Sequence, residues 1–302
     1  MYHQAVLLRE SIEGLNIVPG GTYIDLTYGG GGHAKAILEK LGEGRLIAFD
    51  QDSDAISNKV ADERLILVEH NFRYLKNFLK YYDALPVDGI LADLGVSSHQ
   101  FDVAERGFSM RFSDMLDMRM NRKQTKTATV VLNDYSAEDL ARIFKSYGEV
   151  QHAGALSRSI EKYRKSHKIS AFADLKNAIG HFARRGKENQ FFAQVMQALR
   201  IEINEELEAL KEMLEQTAEV LREDGRLVVI SYHSLEDRLV KNFIRSGNFD
   251  GKLQKDFYGN VIRPFGEITK KPITPSAEEL SENNRSRSAK LRIAFKQTSK
   301  TP

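Results

Sequence analysis

Short apolar runs alternate with helix-like segments along the first third of the chain. Runs of four to six residues, two of them ending in an aspartate, predict four strands, at 22–27, 45–50, 65–68 and 89–93. Between them lie segments with the apolar spacing of helices, such as 34–41. Strands that alternate with helices favour a parallel sheet covered by helices on both faces.

This alternation stops near residue 103, and from there to 209 helical spacing dominates. Ser136, followed by two acids, predicts one helix start, and Ser170 predicts another. Strand-like runs return at 226–231 and 290–295. The sequence therefore predicts a doubly wound α/β sheet, formed by residues 1–102 and 210–302 and interrupted by a helical insertion at 103–209.

The last helix before the returning strands covers 204–221, where leucines form one stripe. Gly225 follows shortly afterwards. Because glycine adopts positive φ readily, we expect it to stop this helix.

Composition narrows the class of protein. The 302 residues are 41% hydrophobic and 28% charged, which is typical of a folded globular chain. No cysteine is present, so disulfides, thiolate zinc sites and cysteine nucleophiles are excluded, and no set of metal ligands stands out. No apolar run approaches the roughly 20 residues that span a bilayer, and no secretory signal begins the chain, so we expect a cytoplasmic protein without a membrane partner.

Charge is unevenly distributed, although the net charge is only +2. Residues 119–185 contain 14 Lys/Arg against 6 Asp/Glu, whereas 201–224 contain 2 against 9. This segregation is compatible with one basic face for a polyanion, or simply with solvated helix faces.

A run of four glycines, Gly29 to Gly32, links the first strand to the first helix. Glycine lets the backbone approach a ligand closely, and this turn is predicted at the sheet edge where doubly wound folds bind ligands. The spacing of Gly29, Gly31 and Ala34 also satisfies a dinucleotide fingerprint, G-x-G-x-x-A. The turn alone does not identify the ligand, and a plain flexible loop is the other interpretation.

Acids end the second and fourth strands. Asp50 is placed to accept hydrogen bonds from the ribose hydroxyls of an adenosine, which both nucleotide cofactor classes need. Asp93 precedes small and hydroxyl residues, including Ser97, and such an edge suits a reactive group beside a flat base. A solvated acid and an ordinary turn are the alternatives for the two positions.

Taken together, these residues and several further blocks resemble the ribosomal RNA small-subunit methyltransferase H family, also called MraW. The resemblance covers nearly the whole chain. The blocks that carry it include Tyr23-Ile24-Asp25, Gly31-Gly32-His33, Asp88 to Ser98 with Gln100, Glu105-Arg106-Gly107-Phe108-Ser109, Leu116 to Met120, Tyr147-Gly148-Glu149, Gln197 to Ile201, Ser231 to Arg238 and Arg285 to Arg292.

The resemblance implies a Rossmann-like methyltransferase domain that transfers a methyl group from S-adenosylmethionine to N4 of a cytidine in the decoding region of 16S ribosomal RNA. The implied cofactor pocket consists of Gly31, Gly32, His33, Asp50, Phe72, Asp93 and Gln100. The glycines and His33 are expected at the methionine end, Asp50 at the ribose and Phe72 at the adenine, although Phe72 also suits a core position. The expected partner is small-subunit rRNA or the assembled subunit, bound by a monomer or homodimer.

The missing cysteines fit this chemistry, because methylation at C5 of cytosine normally needs a thiolate and methylation at N4 does not. We expect Asp93 and Ser97 to polarise the target amino group. The insertion is expected to recognise RNA, with phosphate contacts from basic residues. These are Arg119, Arg122, Lys123, Lys126, Lys162, Arg164, Lys165 and Lys168, joined near the C terminus by Arg285, Arg287 and Lys290. A nicotinamide-dependent oxidoreductase and a non-enzymatic RNA-binding protein remain the alternatives.

Overall fold

A computed structural model describes residues 5–111 and 115–298. The chain forms two compact units. One consists of the residues up to Gly95 together with those from Leu207 onward, and the other of Val96–Glu206.

The described part of the first unit contains one seven-stranded sheet. Its strands are β1 (Thr22–Asp25), β2 (Arg45–Asp50), β3 (Leu65–Glu69), β4 (Val87–Asp93), β5 (Leu221–Ser231), β6 (Phe265–Glu267) and β7 (Lys290–Lys296). Their order is β3-β2-β1-β4-β5-β7-β6, with β1 to β5 parallel and β7 antiparallel to both neighbours. The strand order reverses between β1 and β4, so the glycine turn after β1 lies at the switch point.

The helices are α1 (Leu8–Leu15), α2 (Gly32–Lys40), α3 (Ser53–Ile56), α4 (Leu75–Tyr81), α5 (Ser98–Asp102), α6 (Ala128–Asp134), α7 (Ala137–Ser146), α8 (Ala153–Arg164), α9 (Phe172–Ile179), α10 (Glu188–Asn204), α11 (Glu206–Val220), α12 (Ser234–Ser246) and α13 (Ala277–Glu282). Helices α5 to α10 belong to the second unit. The predicted fold class, a doubly wound α/β sheet interrupted by helices, is confirmed.

Both faces of the sheet are buried because neighbouring residues of a strand point to opposite sides. Ile24 of β1 lies in an apolar cluster with residues of α4, α11 and α12, whereas the adjacent Tyr23 lies in a second cluster with α1 and α2. Both side chains are almost fully buried. This two-sided burial explains why the central strands have continuous apolar runs rather than alternating ones.

The predicted helix stop at Gly225 is wrong. Helix α11 ends earlier, at Val220, and the positive φ of 62° falls on Asp224. Strand β5 begins at Leu221, and its pairing with β4 changes register between Val87 and Gly89. Strand β6 has only three residues, too few for a periodic pattern to predict it.

The second unit has its own apolar core, formed mainly by helices α6 to α10. The expected start of α7 is confirmed, since the Ser136 hydroxyl accepts a hydrogen bond from the Asp139 amide at 3.0 Å. Ser170, by contrast, lies one residue before the N-cap of α9, and its amide donates to the Asp174 carboxylate at 3.0 Å. No strand longer than an isolated bridge, Met115 with Ala171, occurs in the described residues of this unit.

Asn204 fixes the loop before α6 to the end of α10. Its buried amide accepts a hydrogen bond from the Met120 amide at 2.8 Å and donates to the Met118 carbonyl at 2.9 Å. Arg106, 1% exposed, donates to the carbonyls of Arg119 and Met120 at 3.0 and 3.2 Å. Buried polar side chains thus satisfy the backbone groups of a loop that has no secondary structure.

Candidate active site

Three acids end adjacent strands at the carboxyl edge of the sheet. Asp25 ends β1, Asp50 ends β2 and Asp93 ends β4. The edge is held together by the Asp93 amide, which donates to the Thr27 hydroxyl at 2.7 Å, and by the Tyr28 amide, which donates to the Phe49 carbonyl at 2.8 Å. Negative side chains are therefore concentrated where doubly wound folds bind ligands.

The glycine turn is tightly packed rather than loose. Gly31 has φ of 75°, and a Cβ there would lie 2.8 Å from the hydroxyl oxygen of Tyr28. That hydroxyl is fixed, because it accepts from the Val60 amide at 2.9 Å and donates to the Asn58 carbonyl at 3.1 Å. Gly32 begins α2, and a Cβ there would lie 2.9 Å from the Cβ of Ala5. Both positions require glycine for internal packing as well as for ligand approach.

Asp50 is organised by backbone amides. One carboxylate oxygen accepts from the Gly29 amide at 2.8 Å and the other from the Asp52 amide at 2.9 Å. Burial raises the pKa of Asp50 to about 6, and these amide hydrogen bonds oppose the increase. The Gln51 amide also donates to this carboxylate, and because a carboxylate accepts about four hydrogen bonds, Asp50 retains capacity for a hydroxyl donor.

Asp93 is shared by two neighbouring side chains. The Tyr232 hydroxyl donates to Asp93 Oδ1 at 2.8 Å, and His33 Nδ1 lies 3.8 Å from Asp93 Oδ2. Burial raises the pKa of Asp93 to about 7, the Tyr232 hydrogen bond lowers it, and repulsion from Asp25, Glu236 and Glu279 adds to the increase. From the sequence, Tyr232 was included only within the block from Ser231 to Arg238 and was given no role in the site.

The tautomer of His33 follows from its backbone contact. Nε2 lies 3.1 Å from the Val6 carbonyl oxygen, which only accepts, so Nε2 carries the hydrogen. Burial lowers the pKa of His33 to about 4, so the ring is neutral and Nδ1 is an acceptor. Nδ1 and the Asp93 carboxylate therefore face each other as two acceptors.

Asp25 is a site residue that the sequence analysis did not select. It is fully buried; Oδ1 accepts from the Thr27 amide at 3.1 Å, and Oδ2 has no hydrogen-bond partner within residues 5–111 and 115–298. Burial raises the pKa of Asp25 to about 7, and repulsion from Asp50 contributes. An acid directly after a run of buried strand residues and before a glycine turn is the signal that points to it.

Phe72 is half-buried and packs against the core cluster that contains Ile24. It begins a 3₁₀ turn capped by Asn71, whose side-chain nitrogen also donates to Gln51 Oε1 at 2.9 Å. This bond connects Phe72 to the loop that follows Asp50. The ring thus has both an apolar contact and an exposed portion.

Ser97 and Gln100 lie in the second unit and form a capping box at the start of α5. The Gln100 amide donates to the Ser97 hydroxyl at 3.2 Å, and the Ser97 amide donates to Gln100 Oε1 at 3.0 Å. The structure therefore gives both side chains a local role in the helix start. Their predicted roles toward the substrate and the cofactor stay predictions.

His233 also has a structural role. Its Nδ1 accepts from the Glu236 amide at 3.4 Å, and Glu236 Oε2 accepts from the Tyr232 amide at 2.9 Å. Together they cap α12. This cap fixes Tyr232 at the end of β5.

Several basic residues expected to contact RNA are tied to internal partners. Arg119 binds the Asp117 carboxylate through two nitrogens at 2.7 Å, Lys126 donates to the Glu202 carbonyl at 3.2 Å, and Arg164 donates to the Leu132 carbonyl at 3.0 Å. Others are exposed and have no partner among the described residues. These are Arg122, Lys162, Lys165, Lys168 and Arg287.

Within the described residues, none of the helices has the length and apolarity needed to cross a membrane.

Comparison with known proteins places the chain in a family. Residues 1–297 match the MraW methylase family. A ribosomal RNA small subunit methyltransferase H from Parabacteroides distasonis is 56% identical over 297 residues, covering 98% of this chain and 97% of that protein. A protein of the same name from Christiangramia forsetii is 52% identical over 296 residues, with 98% of each chain covered.

Among solved structures, an rRNA methylase from Streptococcus thermophilus aligns with a TM-score of 0.43 and 11% identity, covering 96% of this chain and 95% of that one. The assignment does not depend on this weaker similarity. The sheet also differs from the dinucleotide-binding order 3-2-1-4-5-6, because antiparallel β7 lies between β5 and β6. The chain belongs to the MraW methylase family and is a methyltransferase, as the sequence predicted.

Proposed function

We propose that this protein transfers the methyl group of S-adenosylmethionine to N4 of a cytidine in the decoding region of 16S rRNA. The names of the relatives at 52% and 56% identity support a small-subunit rRNA substrate. The position of the target nucleotide and atom rests on the resemblance to the family. We further propose that the enzyme acts in the cytoplasm, as a monomer or homodimer, on the rRNA or the assembled subunit.

The observation that carries the cofactor assignment is a group of acceptors without donors. Asp25 Oδ2 is buried and has no partner in the described part of the chain, and Asp93 Oδ2 faces the acceptor Nδ1 of His33 at 3.8 Å. Buried acceptors are stable only with a donor or a proton. The methionine ammonium of S-adenosylmethionine supplies three N–H donors and a positive charge, and we place it among these groups.

The remaining contacts follow the strand edge. Asp50, with both oxygens oriented by backbone amides, accepts the ribose hydroxyls, and the exposed part of Phe72 packs on the adenine. Gly31 and Gly32 let the backbone approach the methionine portion. Gln100 remains assigned to the cofactor through the family resemblance.

In this scheme Tyr232 is a positioning residue. Its hydroxyl holds Asp93 Oδ1 at 2.8 Å, which leaves Oδ2 for the ligand and favours the ionised carboxylate. Its own backbone amide is fixed by Glu236. The hydrogen bond therefore sets both the direction and the charge of Asp93.

Methyl transfer is a single displacement. Bound S-adenosylmethionine would supply an electrophilic sulfonium methyl group with its sulfur as the leaving group, and the attacking amino group would give up a proton. Because the N4 lone pair is delocalised into the ring, alignment with the methyl group and an acceptor for the amino hydrogen are required. Asp93 and Ser97 are the proposed acceptors.

The roles of Asp93 and Ser97 are separable by experiment. If Asp93 binds mainly the cofactor, Asp93→Asn weakens S-adenosylmethionine binding, measured by calorimetry, more than it slows single-turnover methylation at saturating cofactor. If Ser97 acts as an acceptor, Ser97→Ala slows turnover with unchanged cofactor affinity. Unchanged single-turnover rates in both variants contradict their assignment as acceptors.

We propose that residues 103–209 recognise the RNA, since Lys162, Lys165 and Lys168 lie there, exposed and without an ion-pair partner among the residues that the structure describes. The function is tested with small subunits from cells that lack the gene, incubated with the protein and labelled S-adenosylmethionine. Nucleoside mass analysis is expected to show N4-methylcytidine at one position of the decoding region. Label at another atom, in another RNA or in none contradicts the proposal.

A further inference from the structure

A hairpin between α12 and β6 carries two uncovered aromatic rings at its tip. Lys255 and Val261 form an antiparallel bridge, and the Ile262 amide donates to the Gln254 carbonyl at 2.8 Å. The rings belong to Phe257 and Tyr258, which are 97% and 86% exposed. No other large hydrophobic side chain among the described residues is as exposed as these two.

The tip has a fixed conformation. The Asp256 carboxylate accepts from the amides of Tyr258 and Asn260 at 2.9 and 2.8 Å, and the Asp256 amide donates to the Asn260 carbonyl at 2.9 Å. Gly259 supplies the positive φ, 84°, that closes the turn. The two ring centroids are 5.6 Å apart at 87°. Because the turn holds its own backbone, the rings are presented on a rigid support.

The base of the hairpin is anchored to α12. Phe249 stacks on Phe243 with centroids 5.2 Å apart, and the Asn242 side chain donates to the Phe249 carbonyl at 2.8 Å. Asn248 binds the backbone of Lys252 through both its side-chain atoms. Two aromatic rings that are exposed to water on a rigid, anchored hairpin normally mark a contact surface.

This surface is separate from the cofactor edge. Lys290 of β7 pairs with Ser231 at the carboxyl end of β5, whereas Lys296 pairs with Phe265, the first residue after the hairpin in β6. Six residues of strand at about 3.3 Å each separate the two ends by roughly 20 Å. The base of the hairpin therefore lies at the end of the sheet opposite the acids of the site.

We propose that Phe257 and Tyr258 stack on unpaired bases of the RNA substrate at a place distinct from the methylated nucleotide. The inference rests on the proposed function for the identity of the substrate. The charges near the tip favour RNA as the partner. Lys252 and Lys255 are exposed beside the tip, and the one carboxylate of the turn, Asp256, accepts hydrogen bonds from amides of the turn. Rings beside lysines are the usual means of binding single-stranded nucleic acid.

The kinetic test uses the full chain with Phe257→Ser and Tyr258→Ser combined. Both side chains are exposed, so the fold is expected to be unchanged. Because stacking on one base contributes about 1–3 kcal/mol, KM for small subunits is expected to rise by about 5-fold to 10-fold or more. The value of kcat and the affinity for S-adenosylmethionine are expected to stay unchanged. Tyr81→Ser, which removes an 80% exposed ring from the end of α4, is the matched control and leaves KM unchanged.

Photocrosslinking identifies the partner, because Leu253 and Ile262 are also exposed on the hairpin and a protein partner is the competing explanation. Azidophenylalanine in place of Tyr258 is expected to crosslink to rRNA after irradiation with small subunits. Crosslinks to a ribosomal protein, or an unchanged KM in the double variant, overturn the inference. Absence of methylation by the wild-type protein contradicts instead the proposed function.

Discussion

The buried carboxylate of Asp25 allows a test in which ligand binding and stability change in opposite directions. Asp25→Asn keeps the shape of the side chain and removes its negative charge. Among the described residues Asp25 Oδ2 has no hydrogen-bond partner, and burial raises the pKa of Asp25 from 3.8 to about 7. We therefore expect the variant to be more stable at high pH and to bind S-adenosylmethionine more weakly.

The sign follows from linkage. The folded pKa of Asp25 lies above the unfolded value, so its favourable contribution is complete below pH 4 and is lost as the pH rises through about 7. One pKa unit corresponds to about 1.4 kcal/mol, so ionised Asp25 destabilises the fold by at most about 4 kcal/mol at pH 8. Between pH 5 and pH 8 the stability advantage of Asp25→Asn is expected to grow by about 2–3 kcal/mol.

The measurement is urea unfolding without cofactor at the two pH values, followed by circular dichroism because the chain has no tryptophan. A pH-independent effect of the asparagine amide on the free energy of unfolding cancels, because only the change of that free energy between the two pH values is compared. Asp250→Asn, in an exposed position, is the matched control and shows no such change. A stability difference that stays constant between pH 5 and pH 8 refutes the reasoning, and unchanged cofactor affinity removes Asp25 from the site.

Three further predictions test other parts of the scheme. Tyr232→Phe removes a hydrogen-bond donor from ionised Asp93. Cofactor affinity at pH 7, measured by calorimetry, should therefore fall on the order of 10-fold and largely recover at pH 9. An equal loss of affinity at both pH values indicates a purely structural role. Gly31→Ala should lower the free energy of unfolding by about 1–3 kcal/mol, because its Cβ would meet the Tyr28 hydroxyl at a positive φ; an unchanged melting temperature contradicts this. Replacing Lys162, Lys165 and Lys168 by alanine should weaken RNA binding and reduce its salt dependence by a log–log slope of roughly 2–3; an unchanged slope removes these lysines from the RNA surface.

The sheet was predictable because its signal is local and repeated. Strand β2 has the predicted bounds, 45–50, since a central parallel strand is apolar on both faces and shows as an uninterrupted run. Strand β6 and the stop of α11 were not predictable, because three residues carry no period and the positive φ falls on Asp224 instead of the neighbouring glycine. Elements fixed by tertiary pairing leave little trace in local composition.

The candidate site was predictable in part. The glycines and the strand-end acids Asp50 and Asp93 are visible in the sequence because topology alone brings the ends of parallel strands to one edge. Tyr232 is separated from Asp93 by 139 positions, and only the structure shows the 2.8 Å hydrogen bond between them. The internal ion pair of Arg119 with Asp117 likewise shows that a basic run does not identify which cations are available to RNA.

The acids at the carboxyl edge of the sheet lower the free energy of unfolding of the protein. Burial raises the pKa of Asp25 and of Asp93 to about 7, and repulsion from Asp25 contributes at Asp93, so protons compete with a cationic ligand for these acids near neutral pH. A cationic ligand that displaces those protons relieves the repulsion and supplies the missing donors, so binding stabilises the fold by mass action. A neutral ligand of the same shape gains neither effect. We therefore expect the site to prefer ligands that carry an ammonium group, because its unsatisfied acceptors are a feature that selection for stability alone would have removed.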